Sequence, residues 1–375
     1  MFQKTKKYIL VFYLVLSSLS VFALSENAKI SVLTFEPGQE LYTIFGHSAI
    51  RIQDSILQID RIYNFGTFDY SSPFFYIKFL GGKLDYFLSV VDFQTFYYYS
   101  VLEKRTIYEQ IINLSYKDKI AIYNRLNQIY HSKDRYYRYD FFYDNCATRI
   151  RDVIEENTQN KLQYDTASYC CKTFRDLLNP YVSERYWIDL GINLALGKQA
   201  DRTASSSDVM FLPDYIFKIL RDSGSVKKSF TLIEFPHVKN NHRILSYALL
   251  VIILFLILLF SAISRTRRFT FYFYNSAVAL VGLILSVLSL FSENAAFRNN
   301  MDIFWTIPAI FVLILEGKYK RWYTYIYLYS LVVLILFGNK IYAGFSPAYQ
   351  PWIICLIIIY AIDISKNRQK LQLSS

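Results

Sequence analysis

Phe45-Gly46-His47-Ser48-Ala49-Ile50-Arg51-Ile52 and, far downstream, Tyr143-Asp144-Asn145-Cys146-Ala147-Thr148-Arg149-Ile150-Arg151-Asp152 decide how this chain is read. The first places a histidine behind a glycine at the head of a β-branched run, which predicts a strand over Ser48–Gln53. Gly46 suits a sharp turn or a close backbone approach at that entry. The second places a cysteine at the head of a predicted helix, Ala147–Glu156. A cysteine nucleophile works as its thiolate, and a nearby histidine or the positive end of a helix lowers the thiol pKa. Cys146 has the helix in sequence, and His47 is a candidate base on a rigid strand. Asn145 or the Cys146 amide is a candidate donor to a developing oxyanion, with support of the site as the other role for Asn145. By residue type alone, a buried inert cysteine and a structurally satisfied histidine remain alternative readings.

The other residues of these types are less well placed. His131 follows a predicted helix, while His237 and His242 lie in a charged seam. Cys170 and Cys171 are adjacent, and Cys355 falls inside an apolar run. Adjacent cysteines form no metal-binding spacing, and four cysteines in this arrangement do not suggest a disulfide framework. No metal or nucleotide cofactor is expected: there is no His-Glu-x-x-His helix, no P-loop and no glycine-rich dinucleotide fingerprint. A serine hydrolase is disfavoured by the lack of a Gly-x-Ser-x-Gly elbow.

Composition sets the surroundings of the pair. The 375 residues have room for about two domains. A 53% hydrophobic content and a mean hydropathy of +0.19 are too apolar for an ordinary soluble enzyme. The net charge of +11 follows the apolar segments and carries no nucleic-acid motif, so a membrane rather than a nucleic acid is the expected surface. Thirty-four tyrosines and 31 phenylalanines fit a chain with much interfacial surface.

The chain divides into a signal peptide over 1–24, an exported α+β domain over 25–239, an all-α membrane domain over 244–363 and a cytoplasmic tail over 364–375. Lys4, Lys6 and Lys7 ahead of an apolar run, with Val21 and Ala23 near its end, form the signal. An uncleaved anchor is the other reading. Further strands are expected at Lys29–Phe35, Ser55–Ile59 and Thr106–Leu114, a helix at Tyr116–Tyr130 and a polar loop at Thr203–Asp208. Spans are expected near Ile244–Ile263, Phe269–Phe291, Ile303–Leu315, Trp322–Phe337 and Trp352–Ile362, some of them short for a full crossing. Arg265, Arg267 and Arg268, then Lys318, Lys320 and Arg321, then Lys366, Arg368 and Lys370 occupy alternate loops. The positive-inside rule puts those loops in the cytoplasm and the thiol domain on the outer side of the membrane.

Taken with Tyr63-Asn64-Phe65-Gly66-Thr67-Phe68, the two opening motifs resemble the Bacteroides-type lipoprotein N-acyltransferases, the Lnb family. In that family a periplasmic thiol domain precedes a small membrane domain. The resemblance implies a permuted papain-like or NlpC-like core, with histidine before cysteine, in which Cys146 is the nucleophile and His47 its base. It implies a third polar group orienting His47, with Asn64 and Asp60 both candidates. It also implies transfer of an acyl chain from a phospholipid, through a thioester on Cys146, to the N-terminal amine of a diacylglyceryl-cysteine lipoprotein. Diacylated lipoproteins, a phospholipid donor and the membrane are the implied partners. Arg51 and Arg149 are candidates for phosphate or carboxylate contacts, with structural salt bridges as the alternative. The resemblance also implies a histidine near Glu293 or Asn294, and the sequence has none there. The alternatives left open are a membrane-bound cysteine hydrolase, either phospholipase or cell-wall peptidase, and a non-catalytic protein that binds a partner. The aromatic stretches Phe74–Tyr76, Tyr86–Leu88 and Phe96–Tyr99 are candidates for lipid docking or an acyl groove, with core packing as the alternative.

Overall fold

A computed structural model describes residues 24–69, 71–159, 171–236 and 242–373. The signal peptide, Cys170 and His237 lie outside the described residues.

The exported domain is built on a seven-stranded sheet in which every adjacent pair is antiparallel. Its strands are β1 (Lys29–Phe35), β2 (His47–Asp54), β3 (Ile59–Phe68), β4 (Asp85–Asp92), β5 (Ile107–Ile112), β6 (Tyr136–Arg138) and β7 (Val226–Ile233), in spatial order β6-β4-β3-β2-β1-β5-β7. Central β1 and β2 are almost continuously buried, which is why their sequences lack a clean polar alternation. Ile30, Val32, Ile50, Ile52, Tyr63 and Phe65 face one core. Over it pack α3 (Tyr116–Tyr130), α4 (Cys146–Asn157), α5 (Phe174–Val182) and α7 (Pro213–Asp222), while α6 (Tyr186–Ala195) follows α5. Leu33, Ala49, Ile62 and Ile107 face the other way, onto Phe96 of α2 (Phe93–Leu102). The short α1 (Phe75–Leu80) links β3 to β4.

Two expectations match the element bounds, β1 and α3. The strand expected at Ser55–Ile59 is instead a turn. Asp54 Oδ1 accepts the amides of Ile56 and Leu57, at 3.0 and 3.2 Å, and folds the chain into a hairpin from β2 to β3. The aromatic stretches divide: Tyr86 and Leu88 are core, whereas Phe74 and Tyr97, Tyr98 and Tyr99 are exposed.

The second region is helical: α8 (His242–Ala262), α9 (Arg267–Phe291), α10 (Ile303–Thr306), α11 (Ala309–Ile314), α12 (Gly317–Ile341) and α13 (Gln350–Leu373). Among the described residues, three helices are long and apolar enough to cross a membrane: Ile244–Ala262, Arg267–Phe291 and Gly317–Ile341. The segment expected as a third span is two short helices separated at Ile307 and Pro308, because proline there removes a backbone donor. The last helix runs through the expected tail to Leu373.

Both loops predicted to face outward meet the exported domain. In the loop after α9, Glu293 donates its amide to Gly81 O at 2.9 Å, and Ala295 donates to Asp140 Oδ2 at 2.7 Å. Gly197 donates to Ala296 O at 2.7 Å, and a Cβ at Gly197 would stand 1.9 Å from Arg298 O, so only glycine fits that crossing. In the loop after α12, Ala348 O accepts from the Tyr186 hydroxyl at 2.8 Å.

Candidate functional site

The start of β2 and the start of α4 meet at one end of the sheet. Gly46 turns the chain into β2 with a positive φ of 79°, and a Cβ there would lie 2.7 Å from Phe35 O. Glycine is therefore required on both conformational and steric grounds. His47 follows, half-buried, with its ring edge-on to Phe35 at 5.5 Å between centroids.

Asn145 fixes the other partner. It is the N-cap of α4, and its Oδ1 accepts the amides of Ala147 and Thr148 at 2.8 and 3.0 Å. The Thr148 hydroxyl returns the contact by accepting the Asn145 amide at 2.8 Å. The side-chain amide of Asn145 donates to the Phe141 and Phe211 carbonyls at 2.8 and 3.0 Å. Both protons are thus spent on backbone carbonyls. Asn145 therefore supports the helix start, the second of the two roles considered for it, and has no donor left for an oxyanion.

Cys146 and His47 meet beside Gly66. A Cβ at Gly66 would be 3.5 Å from Cys146 Cβ and 3.7 Å from His47 Cε1, so its missing side chain leaves the gap between them clear. The backbone φ of 88° at Gly66 falls where the register between β3 and β4 shifts, from Asn64 to Thr67. Such a bulge re-aims its neighbours. Asn64 is the neighbour that matters: its Oδ1 lies 2.6 Å from His47 Nε2. An amide oxygen only accepts, so Nε2 keeps a proton in either charge state and Nδ1 is the nitrogen that gains or loses one.

The electrostatics favour a charged pair. Burial alone would push the Cys146 thiol up, but the His47 charge and hydrogen bond outweigh it, with the amides of Ser48 and Ala147 adding to the effect. The thiol is held below its ordinary value. Burial also opposes the His47 cation, yet attraction to Cys146 and hydrogen bonds to Cys146 and Asn64 raise its pKa above the usual histidine value. Such a thiolate–imidazolium pair is suited to nucleophilic attack on a carbonyl.

The remaining candidates separate cleanly. Asp60 is held by Arg51 at 2.7 Å, and Arg51 also bonds Glu109 at 2.9 Å, so neither takes part at the pair. Arg149 forms a two-pronged bridge to Asp144, at 2.5 and 2.8 Å. Both arginines considered for anion contacts are structural. His131 caps α3, Cys171 is exposed in a turn, and Cys355 is buried in α13. The groups that sequence reasoning missed are backbone or glycine: the Ser48 amide at the sulfur and the Gly66 gap. Only the positive φ of Gly66 had a residue-type signal. Among the described residues no group of three or more His, Cys, Asp or Glu side chains is placed to hold a metal ion.

Two family descriptions match this chain. Residues 23–180 match the Lnb N-terminal periplasmic domain, and residues 238–370 match the Lnb transmembrane domain. No curated relative and no solved structure matches it.

Proposed function

The chain belongs to the Lnb family, with a periplasmic N-terminal domain and a multi-span transmembrane domain; from that premise we propose that it is a lipoprotein N-acyltransferase working through a thioester on Cys146. The observation that carries this reading is the ordered set Cys146–His47–Asn64 at one end of the sheet, in a domain tied to the outward loops of a membrane domain. In this reading the exported fold is a permuted papain-like core, with the base on a strand ahead of the nucleophile's helix.

The thiolate of Cys146 attacks an ester carbonyl of a membrane phospholipid. The Cys146 amide remains for the oxyanion, since Asn145 takes the next two amides of the helix. As the C–O bond breaks, imidazolium His47 gives its proton to the departing alkoxide, and a lysophospholipid leaves. The α-amine of a diacylglyceryl-cysteine then attacks the thioester, His47 takes its proton, and the thiolate departs as the amide forms. The path divides one difficult transfer into two easier ones. Asn64 keeps the ring in the tautomer both steps need.

The test is mass spectrometry of lipoprotein N-termini from cells with the intact gene, a deletion, and Cys146→Ala. N-acylated termini in the first strain only are expected. A hydroxylamine-sensitive acyl group on Cys146, with lysophospholipid released in equal amount, is expected from purified protein. Free fatty acid released while an acceptor amine is present would favour the hydrolase. Unchanged N-acylation in the deletion strain would end the acyltransferase reading.

A further inference from the structure

Arg105 is the buried charge that the pair does not use. It lies just ahead of β5, at the same sheet end as His47, since Phe35 pairs with both His47 and Ile107. Only 8% of it is exposed. Its Nε donates to Glu36 O at 3.0 Å and its Nη1 to Glu103 Oε2 at 3.0 Å, but Nη2 is buried with no hydrogen-bond partner. The guanidinium stands 5.0 Å from the Phe35 ring centroid, and that ring abuts His47. Arg105 and His47 thus share the Phe35 ring as a neighbour. The field of Arg105 reaches both Cys146 and His47.

A second arginine converges on the same turn. Gly38 sits against Arg105, where a Cβ would be 3.4 Å from Cδ. Arg185 donates to the same turn, at Gly38 O (3.3 Å), Gln39 O (2.7 Å) and Gln39 Oε1 (2.7 Å), all neutral acceptors. Arg185 directly precedes Tyr186, whose hydroxyl bonds the outward loop at Ala348 and accepts from Trp352 Nε1 at 2.7 Å. The turn therefore lies on the membrane-facing side of the domain, and Leu41 and Tyr42 at its tip are exposed.

A buried donor left unpaired is costly, which argues for a ligand that completes it. Guanidinium groups suit phosphate, through paired N–H donors. In a glycerophospholipid the phosphate is only a few bonds from the ester carbonyls. We infer that Arg105 and Arg185 form a subsite for the phosphodiester of a glycerophospholipid, seating its ester at Cys146. The inference rests on the acyltransferase reading and names how the donor is held. Admission of the phosphate shifts the Gly38–Thr43 turn, releasing Arg185 from its neutral acceptors and opening Nη2 of Arg105.

A lipid that cannot donate an acyl group separates binding from chemistry. Full-length protein in maltoside micelles is treated with iodoacetamide, and alkylation of Cys146 is followed by peptide mass spectrometry. The micelles receive a dialkyl-ether phosphatidylethanolamine or, as comparison, neutral dialkylglycerol. Protection is the ratio of rates with and without lipid, so each variant is its own reference. Expected is at least tenfold protection by the ether phospholipid and little by the neutral lipid. Arg105→Gln and Arg185→Gln should each reduce it severalfold, and Arg105→Lys should retain part. Equal protection by the two lipids, or full protection in Arg185→Gln, would overturn the subsite, and Arg185 is surface enough for that variant to fold. Inorganic phosphate alone protecting as well would make it a free-phosphate site and overturn the lipid assignment. Acyl-enzyme formation from ester lipids is scored separately, so either idea can fail without the other.

Discussion

His47, Cys146 and Asn64 each depend on the other two for their chemical state. The charge of Cys146 and its hydrogen bond are what raise His47, and burial is the largest force acting against them. Removing the thiol in Cys146→Ala should therefore let burial win and bring His47 below the usual histidine range, a shift measurable by NMR of labelled histidine. Conversely, His47→Ala should move the onset of Cys146 alkylation to higher pH, because burial raises the thiol and the Ser48 and Ala147 amides then oppose it without the imidazole. Asn64→Ala removes one hydrogen bond to a charged ring, worth about 1.5–3 kcal/mol, and so should slow thioester formation by roughly 10- to 100-fold. An Asn64→Ala rate within twofold of wild type would remove Asn64 from the set. Residue types and placement made His47 and Cys146 candidates, since cysteine at a helix start and histidine at a strand start carry their own signals, but it was the resemblance of their flanking motifs that joined them as a pair. The choice of Asn64 over Asp60 was not, because both sit on β3 and only the strand bulge and the neighbouring ions distinguish them.

Elements are positioned here by caps and turns more than by propensity. The sharp start of α4 is set by Asn145, which meets four backbone groups at once. Asn145→Ala should cost about 2 kcal/mol or less for the lost cap alone, with more from the orphaned carbonyls. Chemical denaturation of the purified protein reads that loss, and Asn145→Asp, which keeps the cap but not the donors, should fall between. Helix α3 was readable to its ends because a serine cap and a regular apolar face coincide. Strands β4, β6 and β7 were not, since β6 is three residues long and β7 is an exposed edge strand. Edge strands are stabilised by a neighbour far away in sequence, and local pattern does not record the neighbour.

At the scale of the molecule, the two halves are latched through backbone. The contacts at Gly81, Gly197, Asp140 and Tyr186 bring both outward loops onto the periplasmic domain. Their placement agrees with the side that loop charges assign to them. Asp140 extends the latch toward the site: its Oδ2 takes the Ala295 amide while its Oδ1 takes those of Phe142 and Tyr143, in the turn leading to Cys146. Gly197→Val should force the crossing at Arg298 apart. The variant should become more sensitive to protease between the domains and lose thioester formation from membrane lipid. Cleavage kinetics and lipid-dependent acylation identical to wild type would show that the latch is dispensable.

The sequence by itself determined the two-part plan and the orientation in the membrane, and it named His47 and Cys146 as the candidate residues. Those follow from hydropathy, from charge asymmetry and from residue types with distinctive chemistry, all of which are local properties. Tertiary structure decided the rest: Asn64 as the partner of His47, Arg51 and Arg149 as structural bridges, Asn145 as a cap, and Arg105 as a buried charge beside the pair. Each of these depends on which groups from distant segments satisfy a donor, an acceptor or a charge. Pairing of that kind is a property of the folded arrangement, and residue spacing along the chain does not encode it.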